Sequence, residues 1–301
     1  MYTAIADREN TGIEVVRAQG WMQYEWLRHG FSTRTGGVSA VYGGGSLNLG
    51  WTKEDDPASV AMNRRRFLDA ATGETTRKAD FALVTVRQIH SAITWAIQEQ
   101  DGAFSGKLQT PEGKAVLEGD GLMTNLAGVM LGVGTADCVP VLVADVKKRA
   151  VAAFHAGWRG TVARIVEQGI AKMAHEYGSQ PEDLIAAIGP SIGTCCYAVG
   201  EEVQSAFSTQ FAYADKLFRK EKVSGPEDTQ IHVDLWDANR RQLRDAGISE
   251  SRITVIGECT ACDRDSHEAL RYFSHRGQRG IAGRMLSVVG IAKQVSSVIR
   301  L

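Results

Sequence analysis

The chain has 301 residues, 44% of them hydrophobic and 23% charged, with 34 Lys and Arg against 35 Asp and Glu. That length and balance suit a globular protein with a substantial buried core, and a formal charge of −1 offers no general attraction to nucleic acid or to an anionic membrane. No run reaches the ~18 apolar residues that span a bilayer, MYTAIADRENTGIEVV lacks the layout of a secretory signal, and five cysteines, an odd number, do not suggest a disulfide framework; the reading is a cytoplasmic protein whose functional cysteines are thiolates.

Residues 1–12 carry no clear pattern and read as disordered. Residues 13–31 (IEVVRAQGWMQYEWLRHGF) read as one or two short strands, followed by the loop STRTGGVSAVYGGGSLNLG with glycines at 36, 37, 43, 44 and 45. Such a loop lets backbone N–H groups approach a ligand or serves tight turns. Residues 57–73 form a helix, with proline at its start and glycine at its end. FALVTVRQI (81–89) alternates as a strand, ITWAIQ (93–98) can be its partner, and 101–116 is a polar surface excursion. GDGLMTN (119–125) has turn residues around an apolar pair. GVMLGVGTA (128–136), VPVLVAD (139–145) and AVAAFHA (150–156) are apolar runs of the kind found in sheets covered on both faces.

From residue 161 a helix runs to Tyr177–Gly178, with Val162, Ile165, Val166, Gly169, Ile170 and Met173 on one face. LIAAIG (184–189) is a strand, EEVQSAFSTQF a helix, GPED (225–228) part of a polar stretch, and WDANRRQLRDAG a further helix. ITVIGECTAC, RYFSHRG and the closing strand MLSVVGIA complete the chain. There is no internal repeat and no linker that forces a domain boundary. The fold class is irregular α/β, close to α+β: one mixed-sheet domain flanked by helices over residues 1–301.

Seven histidines stand at 29, 90, 155, 175, 232, 267 and 275. His175 lies off the apolar face of its helix and is solvent-exposed; His90 and His155 each follow a strand and precede a turn, where open sheets collect active-site groups. Cys138 precedes an apolar strand and is either a small buried residue or a thiolate. Cys195–Cys196 and Cys259-x-x-Cys262 lack the spacing of a paired C-x-x-C knot, and adjacent cysteines make poor co-ligands, so a four-cysteine zinc site is disfavoured and their role stays unassigned. Spacing alone does not bring His90, Cys138 and His155 together.

HGFSTRTGGVS (29–39), QIHS (88–91), GDGLMT (119–124), ADCVPVL (136–142), HAGWRG (155–160), IGPSIGTCCYAVG (188–200), CTAC (259–262), FSHRG (273–277) and GR (283–284) follow the order seen in the YfiH-like family, which the chain resembles from about residue 29 to 290. That family is labelled multicopper polyphenol oxidase (laccase) in some classifications and purine nucleoside phosphorylase in others. The resemblance implies a metal site, also the catalytic centre, formed by His90, Cys138 and His155 and holding Zn2+, with Cu2+ as the alternative. QIHS lacks the glycine that often follows the histidine, and FSHRG stands where FSYRR is usual.

Three N/S ligands with one open position is the composition of a catalytic zinc. Asp137 either orients a ligand or caps a turn. Arg159, at a helix start, and Arg34, in the glycine-rich loop, are candidates for phosphate or ribose, with Asn48 and Arg276 as further substrate contacts; a surface ion pair competes as the role of each arginine. The implied activity is phosphorolysis of adenosine, inosine and methylthioadenosine, with adenosine deamination as a side activity, although the H-x-E…P-C-x-x-C signature of zinc deaminases is absent. The partners are then a nucleoside and phosphate, with monomer and homodimer both open. A laccase-type oxidase would need many more histidines, commonly as H-x-H pairs, than this chain has. A cysteine hydrolase acting in peptidoglycan precursor editing, and a non-catalytic regulator, are the remaining readings.

Overall fold

Every side chain of the strands Val139–Asp145, Ala150–Ala156 and Leu184–Ile188 is buried, because these runs form the middle of a sheet covered on both faces. The computed structural model describes residues 5–7, 12–73, 81–222 and 229–293. In this sheet the strand order is Ile253–Val255, Leu184–Ile188, Val139–Asp145, Ala150–Ala156, Gly121–Thr124, Thr94–Ala96. A second six-stranded sheet runs Ile5–Asp7, Val15–Arg17, Leu27–Ser32, Met285–Ile291, Val129–Thr135, Ala82–Thr85. Both sheets mix parallel and antiparallel pairs. A three-stranded sheet of Ala198–Val199, Thr229–Val233 and Phe218–Lys222 stands beside them.

The period-2 alternation sorts each strand between two cores. Leu142, Ala144, Val151 and Ala153 face the other sheet and pack with Val84, Leu131, Val133 and Val289. Val139, Val141, Val143 and Phe154 face the opposite way, under the helices Ile165–Tyr177, Glu201–Gln210 and Leu235–Asp245. On the far side of the other sheet, Met130, Leu286 and Val288 pack against Phe67 and Leu68 of the helix Pro57–Thr72. The layers are helix, sheet, sheet, helix, in agreement with the mixed α/β reading. Fully burying one such Val, Leu or Phe contributes roughly 1.5–3 kcal/mol.

The Pro57–Thr72 helix begins and ends as its sequence dictates: Asp56 caps the Ser59 N–H at 2.9 Å, and Gly73 closes it at φ 69°. Three expectations change. The helix expected from residue 161 is split into Trp158–Val162 and Ile165–Tyr177 by Arg164, which adopts φ 58° while its guanidinium binds Glu167 and the Gln210 carbonyl. The Thr94–Ala96 strand does not pair with Ala82–Thr85; the two lie in different sheets. Ile5–Asp7, in the segment expected to be disordered, pairs with Val15–Arg17, while residues 1–4 and 8–11, like the GPED stretch, lie outside the described residues.

His29, on Leu27–Ser32, is fully buried against Trp21 and accepts the Ala18 N–H at 3.0 Å. Burial, reinforced by the Arg17 charge, lowers its pKa to about 3. The unfolded chain takes up this proton near pH 6.5 and the folded chain does not, so the neutral histidine supports the fold fully above that pH and less below it. Relative to His29→Gln, the wild type is expected to lose about 1.4 kcal/mol between pH 7.5 and 5.5, measured by denaturant unfolding at both pH values.

Candidate active site

Two crossovers bring the site together. Residues 86–93 pass from the sheet containing Ala82–Thr85 to the one containing Thr94–Ala96, and residues 136–138 pass between the same sheets from Val129–Thr135 to Val139–Asp145. His90 lies on the first crossover and Cys138 on the second, while His155 projects from the end of Ala150–Ala156. The three donor atoms lie within 4.8 Å of one another. Cys138 Sγ is 4.0 Å from His90 Nε2, and the two imidazoles meet edge to face at 5.0 Å between centroids. Gly157 leaves the space they need: a Cβ there would lie 2.9 Å from Cys138 Sγ and 3.2 Å from His90 Cδ2.

The residue that organises the site is Asp120, which the sequence reading passed over as part of a turn. It is fully buried, and one carboxylate oxygen accepts from the His155 ring at Nδ1 (2.8 Å) and from the His90 backbone N–H (3.0 Å). The other accepts from the Ser91 N–H at 2.6 Å and the Ser91 hydroxyl at 2.8 Å. One carboxylate thus fixes the His155 ring, leaving Nε2 free to face the site, and anchors a loop in which His90 holds a left-handed φ of 60°. Burial would raise the Asp120 pKa, but the hydrogen bonds from His155 and Ser91 outweigh it and hold it at about 2.

Burial opposes charge on Cys138 and His155 as well. Their mutual attraction, joined by Asp120 on one side and His90 on the other, overcomes it, lowering the thiol to about 6 and raising the imidazole to about 9. A metal would replace these protons. Cys S at ~2.3 Å and His N at ~2.0–2.1 Å from a tetrahedral zinc stand roughly 3.6 Å apart, close to the 4.0 Å found here. The soft-borderline donors, their spacing and the carboxylate behind His155 fit such an ion.

The three side chains open into a cleft of about 770 Å³. Arg64, Arg87, Lys114, Arg159, Arg276 and Arg284 line it, against a single lining carboxylate, Asp137. Trp51, Trp158 and Tyr197 add aromatic wall, with the Arg64 guanidinium 4.9 Å over Trp51 and that of Arg159 4.2 Å over Trp158. Arg87 is already paired with Glu118. Burial and the Cys138 charge push the Tyr197 phenol up to about 12, so it remains a donor.

Of the expected substrate residues, Arg159 and Arg276 line this cleft, whereas Arg34 and Asn48 do not. Arg34 binds the Tyr42 carbonyl at 2.6 Å and covers Phe273. Asn48 is fully buried and spends its amide on Asp55 (2.7 Å) and on the Gly50 and Arg284 N–H groups, shaping the cleft edge from behind. Arg159 does sit at a helix start, but Trp158–Val162 spans five residues, so its dipole adds little. Asp137 touches neither histidine; at φ 94° it accepts from the Thr260 hydroxyl (2.7 Å) and the Arg276 N–H (2.6 Å), tying two loops to the base of Cys138. Arg64 and Trp51 carried no local signal in the sequence; Trp158, Tyr197, Arg284 and Asp120 stood in the HAGWRG, IGPSIGTCCYAVG, GR and GDGLMT motifs without being singled out.

Residues 28–292 match the family model described as multi-copper polyphenol oxidoreductase laccase. The chain belongs to this family. It is 35% identical over 274 residues to the purine nucleoside phosphorylase YlmD of Geobacillus stearothermophilus, covering 88% of this chain and 94% of that one. The crystal structure of YlmD from that organism superposes with a TM-score of 0.78 at 32% identity, over 96% of this chain and 100% of the other. An adenosine deaminase, RL5, from an unknown prokaryotic organism is 37% identical over 203 residues, 67% of this chain and 74% of its own length. The family therefore carries phosphorylase, deaminase and oxidase names on one fold, and purine nucleoside phosphorylase-type activity occurs among this chain's relatives. Among the described residues no helix is long and apolar enough to cross a membrane.

Proposed function

We propose that this protein is a zinc-dependent purine nucleoside phosphorylase acting on adenosine, inosine and methylthioadenosine. The observation that carries the proposal is the cleft itself, in which a His90–Cys138–His155 donor set adjoins a wall of cations and aromatic rings. Phosphorolysis joins a phosphate oxygen to C1′ of the ribose as the bond from C1′ to the purine nitrogen breaks, giving ribose 1-phosphate and free base. The attacking group is an anion, and Arg159, Arg276 and Arg284, which line the cleft, offer it charge and hydrogen bonds. Trp51, Trp158 and Tyr197 offer the flat purine a surface to stack on. A bound zinc would supply a Lewis acid with an open position for a substrate oxygen. Asp120 keeps His155 oriented, and Cys138 stays a thiolate, both without rearrangement during turnover.

Release of hypoxanthine from inosine, strictly dependent on added phosphate, tests this reading; its absence in metal-replete protein sinks it. Arg159 is exposed, and its ring contact is with its neighbour Trp158. Arg159→Ala is therefore expected to raise the KM for phosphate about tenfold, or ~1.4 kcal/mol, while leaving the melting temperature unchanged in a thermal scan.

One observation favours a second reading. Asp120, His155 and Cys138 stand in the order of a carboxylate–histidine–thiolate relay, which also serves a cysteine nucleophile. His90 argues against it, since a second imidazole against the same sulfur suits a metal. Chelation separates the two readings: it abolishes turnover of a metalloenzyme and frees the thiolate of a hydrolase. Deamination of adenosine, by analogy with the RL5 relative, would appear as phosphate-independent ammonia release. A multi-copper centre lacks ligands, because only seven histidines are present and five of them lie outside this donor set.

A further inference from the structure

The geometry points to a second metal site, a closed four-cysteine zinc centre formed by Cys195, Cys196, Cys259 and Cys262, which locks the shoulder of the cleft. Their four Sγ atoms lie within 4.8 Å of one another, and Cys195 and Cys262 are 3.6 Å apart. Four thiolates at ~2.3 Å around a tetrahedral zinc stand roughly 3.8 Å apart. Disulfides would instead draw the sulfurs into pairs at ~2.05 Å, and none of the five cysteines is in one.

Sheet topology explains how two distant sequence pairs meet. Leu184–Ile188 and Ile253–Val255 are parallel neighbours, so the loops that follow them leave the same end of the sheet. Ser191 and Thr260 continue the pairing, with the Ser191 N–H on the Glu258 carbonyl (3.2 Å) and the Thr260 N–H on the Ser191 carbonyl (3.1 Å). The adjacency of Cys195 and Cys196, which argued against a shared ion in the sequence, is resolved by a tight turn: the Cys196 and Tyr197 N–H groups both bind the Gly193 carbonyl, at 2.9 and 3.0 Å. Gly193 also donates its N–H to Cys259 Sγ at 3.2 Å, a bond suited to a thiolate. A Cβ on Gly193 would lie 3.2 Å from Cys195 Sγ and 3.3 Å from the Cys259 Cβ. His232 and Arg219, the latter also paired with Glu221 at 2.7 Å, both bind the Thr194 carbonyl and so fix the turn that carries Cys195 and Cys196.

Four protein ligands leave no open position, which makes this a structural site. What it would hold is specific. Tyr197 directly follows Cys196 and lines the cleft. Thr260, between the other two cysteines, donates to Asp137, beside Cys138. The Ile192 N–H binds the Asp137 carbonyl at 2.9 Å. The inference does not depend on the reaction proposed above, because it concerns metal content alone.

Zinc quantified by atomic emission, on protein purified under reducing conditions without chelator, tests it. Cys138→Ser, which disables the three-donor site, is expected to retain one zinc per chain, and Cys195→Ser with Cys262→Ser in that background is expected to retain none. Cobalt exchanged into Cys138→Ser should give thiolate-to-metal charge-transfer absorption, lost in the combined variant. Zinc-free Cys138→Ser protein whose four remaining thiols react freely with a thiol reagent, or are recovered as disulfides, would overturn the inference. Because Cys138→Ser keeps all four cysteines, that reading stands even if the combined variant fails to fold.

Discussion

Asp120→Asn is expected to lower both metal retention and phosphorolysis by roughly 10–100-fold, with the chain still folded. The asparagine keeps the volume and one carbonyl oxygen, but its NH2 group faces donors. The His155 ring at Nδ1 and the His90 backbone N–H converge on a single oxygen, and the Ile89 N–H and the Ser91 N–H and hydroxyl converge on the other. Whichever way the amide turns, at least two donors lose their acceptor. Ordering of the His155 ring and of the strained His90 loop is lost together, which a change on one ligand alone would not do. Asp120→Ala takes the acceptor from all five of these donors, the Ile89 N–H (3.3 Å) included, and is expected to cost several kcal/mol of stability besides the activity. Zinc content after dialysis against a weak chelator, kcat/KM and unfolding in denaturant separate these effects; an Asp120→Asn protein with full metal and turnover would remove Asp120 from the site's machinery.

Gly157→Ala is expected to abolish most turnover, by about 100-fold, with little change in global stability. Gly157 has φ −65° and ψ 170°, which alanine adopts without strain. The only penalty is the new methyl, which would sit 2.9 Å from Cys138 Sγ and 3.2 Å from His90. Either sulfur or imidazole must move, and the three donors then cease to share one centre. Retained melting temperature with about one zinc per chain fewer than the wild type, lost from the His90–Cys138–His155 site, is the expected signature. Undiminished kcat would show that the donors need not converge.

Much of the fold was legible because apolar burial writes itself into local pattern. The unbroken runs 139–145 and 150–156 announced strands covered on both faces, and Pro57 and Gly73 marked the two ends of a helix. What local pattern does not carry is which sheet a strand joins. ITWAIQ reads as a partner to FALVTVRQI, yet the chain between them crosses layers, and that crossing positions His90. Likewise local pattern does not reveal Arg164 as a left-handed residue, since beside the nearby Glu167 its guanidinium binds the Gln210 carbonyl, 46 residues along the chain. Resemblance to the family supplied the three candidate metal ligands, but not Asp120, whose importance lies in donors 30 residues before it and 35 residues after it. Arg34 and Asn48 looked like ligand contacts for the opposite reason: polar side chains in a glycine-rich loop have the same local appearance whether they face a substrate or, as here, their own backbone.

The crossovers that carry His90 and Cys138 also set an order in time. Neither ligand is near the other until the two sheets have docked face to face, so a growing or partly folded chain offers a metal only isolated donors. Tight uptake at this centre would therefore follow the last long-range step of folding. The rate at which refolding protein captures zinc there would be a clock for sheet docking.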